Sequence, residues 1–108
     1  MSNLEYHVLL ALANGYLHGY AIKDAVANES DGTLTPHAGS LYRVLARLMA
    51  EGLVREAPEV EEPTPHPGLS RRYYELTANG RHALGQEARR LVASAAVAQK
   101  RLGLRSRS

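Results

Sequence analysis

The chain contains no cysteine, no phenylalanine and no tryptophan. Without cysteine it has neither a disulfide framework nor a thiolate metal site. Without Phe and Trp, its core must be built from Leu, Ala, Val and six Tyr. No stretch of about 18 apolar residues exists, and the N-terminus lacks a basic start followed by a long apolar run. The expectation is a soluble, cytoplasmic chain that does not engage a membrane. Catalytic signatures are missing too. There is no Gly-rich phosphate loop and no Gly-x-Ser-x-Gly elbow, and no third group completes His37 and Ser40 into a triad. The five histidines (7, 18, 37, 66, 82) show no i, i+4 ligand spacing. Glu59, Glu61, Glu62 and His66 are scattered loop residues of the kind that is normally just solvated. Hence no enzyme, no metal and no cofactor are expected.

What is present is 108 residues, the size of one small domain. Such a chain buries roughly two-thirds of its unfolded surface, so its core is thin and would gain from dimerisation. Net charge is only +2, but it is unevenly spread. Residues 1–54 carry three basic and five acidic side chains, and residues 56–62 carry four glutamates. Residues 71–108 carry nine basic and two acidic side chains. Eleven of the thirteen basic residues are Arg, the side chain suited to bidentate phosphate and guanine contacts. A high-GC genome would produce the same bias.

Ser2 and Glu5 fit a capping box before Leu4, Val8, Leu9 and Leu12 at helical spacing, and Asn14-Gly15 marks the expected stop. A second helix is expected from about Gly19 to Asn28, with Ile22, Ala25 and Val26 on one side. Ser30-Asp31-Gly32 reads as a turn, and Thr33-Leu34 as a candidate short strand. Thr35-Pro36 reads as N-cap and first position of a third helix closed by Gly52. Leu41, Val44, Leu45, Leu48 and Met49 fall in one stripe of it. Pro36, Gly39, Ser40, Arg43, Arg47 and Ala50 fall opposite. Leu53 to Glu56 is expected as a strand and Arg71 to Leu76 as its return, joined by a loop holding Pro58, Pro63, Pro65 and Pro67. Thr77 caps a fourth helix, although Asn79-Gly80 weakens its first turn. Leu84, Ala88, Leu91, Ala95, Ala98 and Leu102 line one face of that helix. So long a helix has little of its own domain to cover that stripe, which points to a partner. The residues after Leu102 read as a basic tail.

The order helix, helix, helix, strand, long loop, strand, long helix is that of a winged helix-turn-helix with a C-terminal helix. In such a fold Arg43 and Arg47 face DNA, or else merely solvate their helix. His37 and Ser40 sit in the first turns, where recognition helices meet base edges, with helix capping as the alternative for His37. Tyr42 lies between the two faces, with a hydroxyl suited to phosphate. Strand alternation sends Arg71 and Arg72 to opposite sides, so one of them faces DNA; Tyr73 and Tyr74 split likewise. Lys23 is a candidate backbone contact.

Leu17-His18-Gly19-Tyr20, Gly39-Ser40-Leu41-Tyr42-Arg43-Val44-Leu45 and Arg72-Tyr73-Tyr74-Glu75-Leu76-Thr77 together closely resemble the PadR family of bacterial transcriptional regulators, over about residues 4–84. The short C-terminal region resembles the subfamily with a single C-terminal helix. The resemblance implies a homodimeric repressor on a palindromic double-stranded DNA operator, with the third helix in the major groove and Tyr42 at the backbone. Some members are released by small-molecule effectors. Those that clamp planar drugs use a Trp on the last helix, which this chain lacks. The acidic, Pro-rich wing is a second departure.

The expected organisation is therefore mainly α with a small β-hairpin. Residues 1–77 form a winged helix-turn-helix DNA-binding domain, and 78–108 a dimerisation helix with a tail. The expected DNA-contacting set is Lys23, Pro36, His37, Gly39, Ser40, Tyr42, Arg43, Arg47, Arg71 and Arg72. The alternative is a winged-helix module that binds protein and not specific DNA, motivated by the acidic wing.

Overall fold

A helix begins where a side chain can answer the unpaired amides of its first turn. In the computed structural model, which describes residues 1–57 and 72–104, this happens first at Ser2. The Ser2 amide donates to the Glu5 carboxylate (2.9 Å), and the Glu5 amide donates to the Ser2 hydroxyl (3.1 Å). The expected capping box is thus formed, and it opens α1 (Asn3–Ala11). The helix ends three residues short of Asn14. The Leu12 amide already divides its bond between the Val8 and Leu9 carbonyls, and the tightened turn carries on to Gly15, at φ 144°.

Between the first helix and the second lies a short strand, β1 (Leu17–His18). His18 then caps α2 (Gly19–Glu29), its Nδ1 accepting from the Ala21 amide at 3.3 Å. Asp31 at φ 53° and Gly32 at φ 76° close α2 with bonds back to Asn28 and Ala27. The buried Ser30 hydroxyl accepts from the Leu34 amide at 3.0 Å. That bond takes the donor a strand would need, so Thr33-Leu34 is a connection and not the expected short strand.

The same bond carries the chain on to His37 before it coils. The cap of α3 (Ala38–Ala50) is His37 and not Thr35, and Pro36 lies outside the helix. The Leu41 amide on the His37 carbonyl (3.0 Å) is its opening bond. Gly52, at φ 76°, ends α3 as expected. The Gly52 amide bonds Met49 (3.0 Å) and the Leu53 amide bonds Leu48 (2.9 Å).

Strands β2 (Val54–Glu56) and β3 (Tyr73–Leu76) pair antiparallel, and β1 pairs on the other side of β3. The hairpin is therefore part of a three-stranded sheet, β1-β3-β2, with Leu17 opposite Tyr74 and Val54 opposite Leu76. Alternation sends Val54, Tyr74 and Leu76 inward. They close a core made with Val8, Leu9, Leu12, Ile22, Val26, Leu41, Leu45 and Leu48.

Thr77 caps α4 (Ala78–Leu102), accepting from the Gly80 amide at 3.0 Å. Its hydroxyl also donates to the Gly52 carbonyl (2.6 Å), and its amide to the Leu53 carbonyl (3.1 Å). Gly80, which looked like a weakness, is required here. A β-carbon on it would overlap the Leu53 carbonyl oxygen and stand 3.0 Å from the carbonyl carbon. The first turns of α4 pack on α1 and β3, and from Arg89 onward every described residue is exposed. The molecule is 56 Å long and 27 Å across as a result. Among the described residues, no helix is long and apolar enough to cross a membrane.

Candidate nucleic-acid interface

Leu41, Leu45 and Leu48 hold α3 to the core, each at most 2% exposed. At 100° per residue the opposite line runs through Gly39, Arg43, Ala46 and Ala50, all exposed. Three of these four side chains have at most one carbon. The helix therefore offers a thin front with Arg43 standing on it, and the exposed Arg47 about 40° further round. The Arg43 guanidinium lies 3.4 Å from the Ser40 hydroxyl, and among the described residues no carboxylate pairs with it. Ala46 was missed by the sequence reading. Its wheel position about 20° from Gly39 was the available signal, hidden by its apolar class.

The remaining expected residues fall to the two sides of this front. On one side Ser40, Arg43 and Arg47 line a hollow with Leu4 and Val44, against the start of α1. The Glu5 carboxyl is held below its ordinary value, first by the Ser2 amide, then by the Ser2 hydroxyl and the Arg47 charge. Pro36 and His37 edge a neighbouring hollow with Leu4, Leu34 and Ser40. His37 makes no side-chain cap bond and is exposed, so capping does not occupy its ring.

On the other side Tyr42 leans over the start of α2. A β-carbon at Gly19 would stand 2.9 Å from the Tyr42 hydroxyl, so glycine is what lets the ring lie there. Lys23, Tyr20 and Ala38 line the hollow beside it, and Tyr20 is 74% exposed. Tyr74 splits from Tyr73 as expected. Tyr74 is buried, while Tyr73 meets Tyr16 and His18 edge-on outside the sheet. Burial pushes the Tyr74 phenol up, Tyr42 and Glu56 act in the same direction, and Arg72 opposes them. Tyr42, Glu56, Arg72 and Tyr74 thus gather at the base of the wing.

Both described wing arginines are paired. Arg55 bonds Glu75 at 2.7 Å, directly across the ladder, and Arg72 lies 3.4 Å from Glu56. Arg71 and the acidic stretch Glu59, Glu61, Glu62 lie outside the described residues. Of the stripe expected to meet a partner, Leu84 packs half-buried on this chain's own core and Ala88 is half-buried. Leu91, Ala95, Ala98 and Leu102 face solvent.

The model of the transcriptional regulator PadR-like family matches residues 8–86. A protein of transposon TN4556 from Streptomyces fradiae, described only as uncharacterized, is 46% identical over 81 residues. That match covers 75% of this chain but 21% of the relative, so the chain spans about a fifth of that protein's length. Among solved structures, a PadR-like transcriptional regulator from Bacillus cereus superposes with a TM-score of 0.75. It is 20% identical, covering 92% of this chain and 90% of that one, a likeness of fold. Bacillus subtilis PadR, solved in complex with operator DNA, gives a TM-score of 0.66 at 25% identity, covering 81% of this chain and 47% of that one.

Proposed function

The chain belongs to the PadR-like family of transcriptional regulators, and from that premise we propose that it represses transcription as a homodimer on a palindromic DNA operator. The observation that carries this reading is the front of α3, thin at Gly39, Ala46 and Ala50 and bearing an Arg43 that no described carboxylate neutralises. A thin front lets the helix backbone approach base edges, and an unpaired Arg suits guanine or phosphate. His37 and Ser40 stand at the N-terminal end of that front, the part that meets bases in helix-turn-helix proteins. Lys23, Tyr42 and Arg72 flank it as candidates for phosphate.

Residues 1–77 serve here as the DNA-binding domain. From residue 78 on, the solvent-facing Leu91, Ala95, Ala98 and Leu102 form the seam with a second copy. The two copies of α3 would then lie about 34 Å apart, in successive major grooves. A small-molecule effector, suggested by family resemblance alone, would act between α4 and the DNA-binding core. Such a regulator works in the cytoplasm.

Anisotropy of a labelled duplex from upstream of the chain's own gene, titrated at two salt concentrations, tests the reading. Tight, competitor-resistant binding that weakens with salt is expected. Arg43→Ala should weaken it by about 1–3 kcal/mol, and an unchanged affinity would remove Arg43 from the interface. The pairing of Arg55 and Arg72 with glutamates favours the second reading, a protein-interaction module. Binding no tighter than to random DNA would select it.

A further inference from the structure

We propose that Glu56 competes with the DNA phosphate for Arg72, so that this chain binds DNA by exchanging an internal carboxylate for an external anion. The inference rests on the DNA-binding reading above and adds to it the residue that limits affinity.

Three observations carry it. Arg72 lies 3.4 Å from Glu56, in a pair whose side chains are 68% and 47% exposed. Exposed pairs of this kind are held weakly, so the guanidinium can leave for a better anion. Register gives the second observation. Glu56 stands directly opposite Tyr74 on the ladder, and Arg72 precedes Tyr74 by two residues. All three therefore lie on the helix-side face of the sheet, while the Arg55–Glu75 pair lies on the other face. The third is the neighbourhood. Tyr42, which leans over the start of α2, is near enough to act on the same Tyr74 phenol as Glu56 and Arg72. A Glu56 carboxylate left beside the guanidinium would repel an arriving phosphate, so the exchange moves it away.

Phosphate contacts carry no sequence information, so the exchange weakens binding to every duplex alike. The test uses the full chain, the labelled upstream duplex and an unrelated duplex of equal length. Glu56→Gln keeps the side-chain shape and removes the charge. Each half-site is expected to bind both duplexes about two- to fivefold more tightly, the scale of an exposed ion pair. The gain should narrow as salt is raised, because the competing charges are near the surface. It should vanish in the Arg72→Ala background, where nothing is left to release. Glu75→Gln makes the same change in net charge on the opposite face and should give no comparable gain. Matching melting temperatures show that the variants fold. Unchanged or weaker binding by Glu56→Gln would overturn the exchange, as would a gain that persists without Arg72 or is matched by Glu75→Gln. Wild-type preference for the upstream duplex separately tests the DNA-binding reading. If the wild type binds neither duplex, both proposals fall.

Discussion

Two glycines of α4 should respond in opposite directions to the same substitution. Helix propensity alone favours alanine over glycine by about 1 kcal/mol at either position. At Gly80 the added methyl would overlap the Leu53 carbonyl oxygen and sit 3.3 Å from a methyl of Leu76. The obstacle is backbone and cannot rotate away, so α4 must lift from the turn at Gly52-Leu53. Lifting breaks the Thr77 amide bond to Leu53 (3.1 Å) and the Thr77 hydroxyl bond to Gly52 (2.6 Å). Each such bond contributes about 0.5–1.5 kcal/mol, and overpacking adds about 1–3 kcal/mol. With the propensity gain set against these, Gly80→Ala should destabilise by about 1–5 kcal/mol. For a domain of this size that lowers Tm by about 4–20 °C. At Gly85 the nearest atom is the Arg89 guanidinium at 3.4 Å, the mobile end of a long side chain. Gly85→Ala should therefore stabilise by up to about 1 kcal/mol. Thermal and urea unfolding followed by circular dichroism measures both. A Gly80→Ala protein that melts at or above wild type would refute the close-approach argument. Equal losses in both variants would refute it too.

Three further outcomes are expected. Gly19→Ala should push the Tyr42 hydroxyl aside, weakening upstream-duplex binding severalfold with less than about 1 kcal/mol change in urea stability, since the obstructing group is a side-chain tip; unaltered binding would show that Tyr42 need not lie over α2. The Glu5 carboxyl is depressed, so the stability its charge contributes is fully present well above 4.5 and is lost as pH falls through its own lower value. The gap in urea stability between wild type and Glu5→Gln should close on acidification, and a gap that persists at low pH would contradict the capping-box account. Truncation at about residue 85 should leave a monomer in ultracentrifugation, and a dimer would place the seam elsewhere than on α4.

Much of this architecture was legible because its determinants are local. Ser2 with Glu5, Gly52 after an apolar stripe, and Thr77 before one each answer backbone groups within a few residues. Most of what was not legible depends on distant partners. Leu17-His18 is too short to show alternation and becomes a strand only because Tyr73 and Tyr74 lie beside it. Thr35-Pro36 has the grammar of a helix start, yet the Ser30 hydroxyl on Leu34 carries the chain to His37 before it coils. Gly80 looked unfavourable by propensity, and its reason is a carbonyl 27 residues earlier. At the candidate interface the sequence located the cations but not their company. That Arg72 sits with Glu56, and Arg43 with no described carboxylate, follows from strand register and helix rotation together.

The Thr77 junction makes α4 a lever. Its short arm is fastened by two hydrogen bonds to Gly52 and Leu53, the residues that terminate α3. Its long arm of 25 residues extends about 37 Å. A tilt of about 5° at the fastening displaces the far end by about 3 Å along that length. Read in reverse, a displacement of a few ångströms at Leu102 returns as a few degrees at the end of α3. In the proposed dimer the spacing of the two α3 helices would then be geared to whatever happens at the far ends of the two α4 helices, with the stitch at Thr77 as the fulcrum.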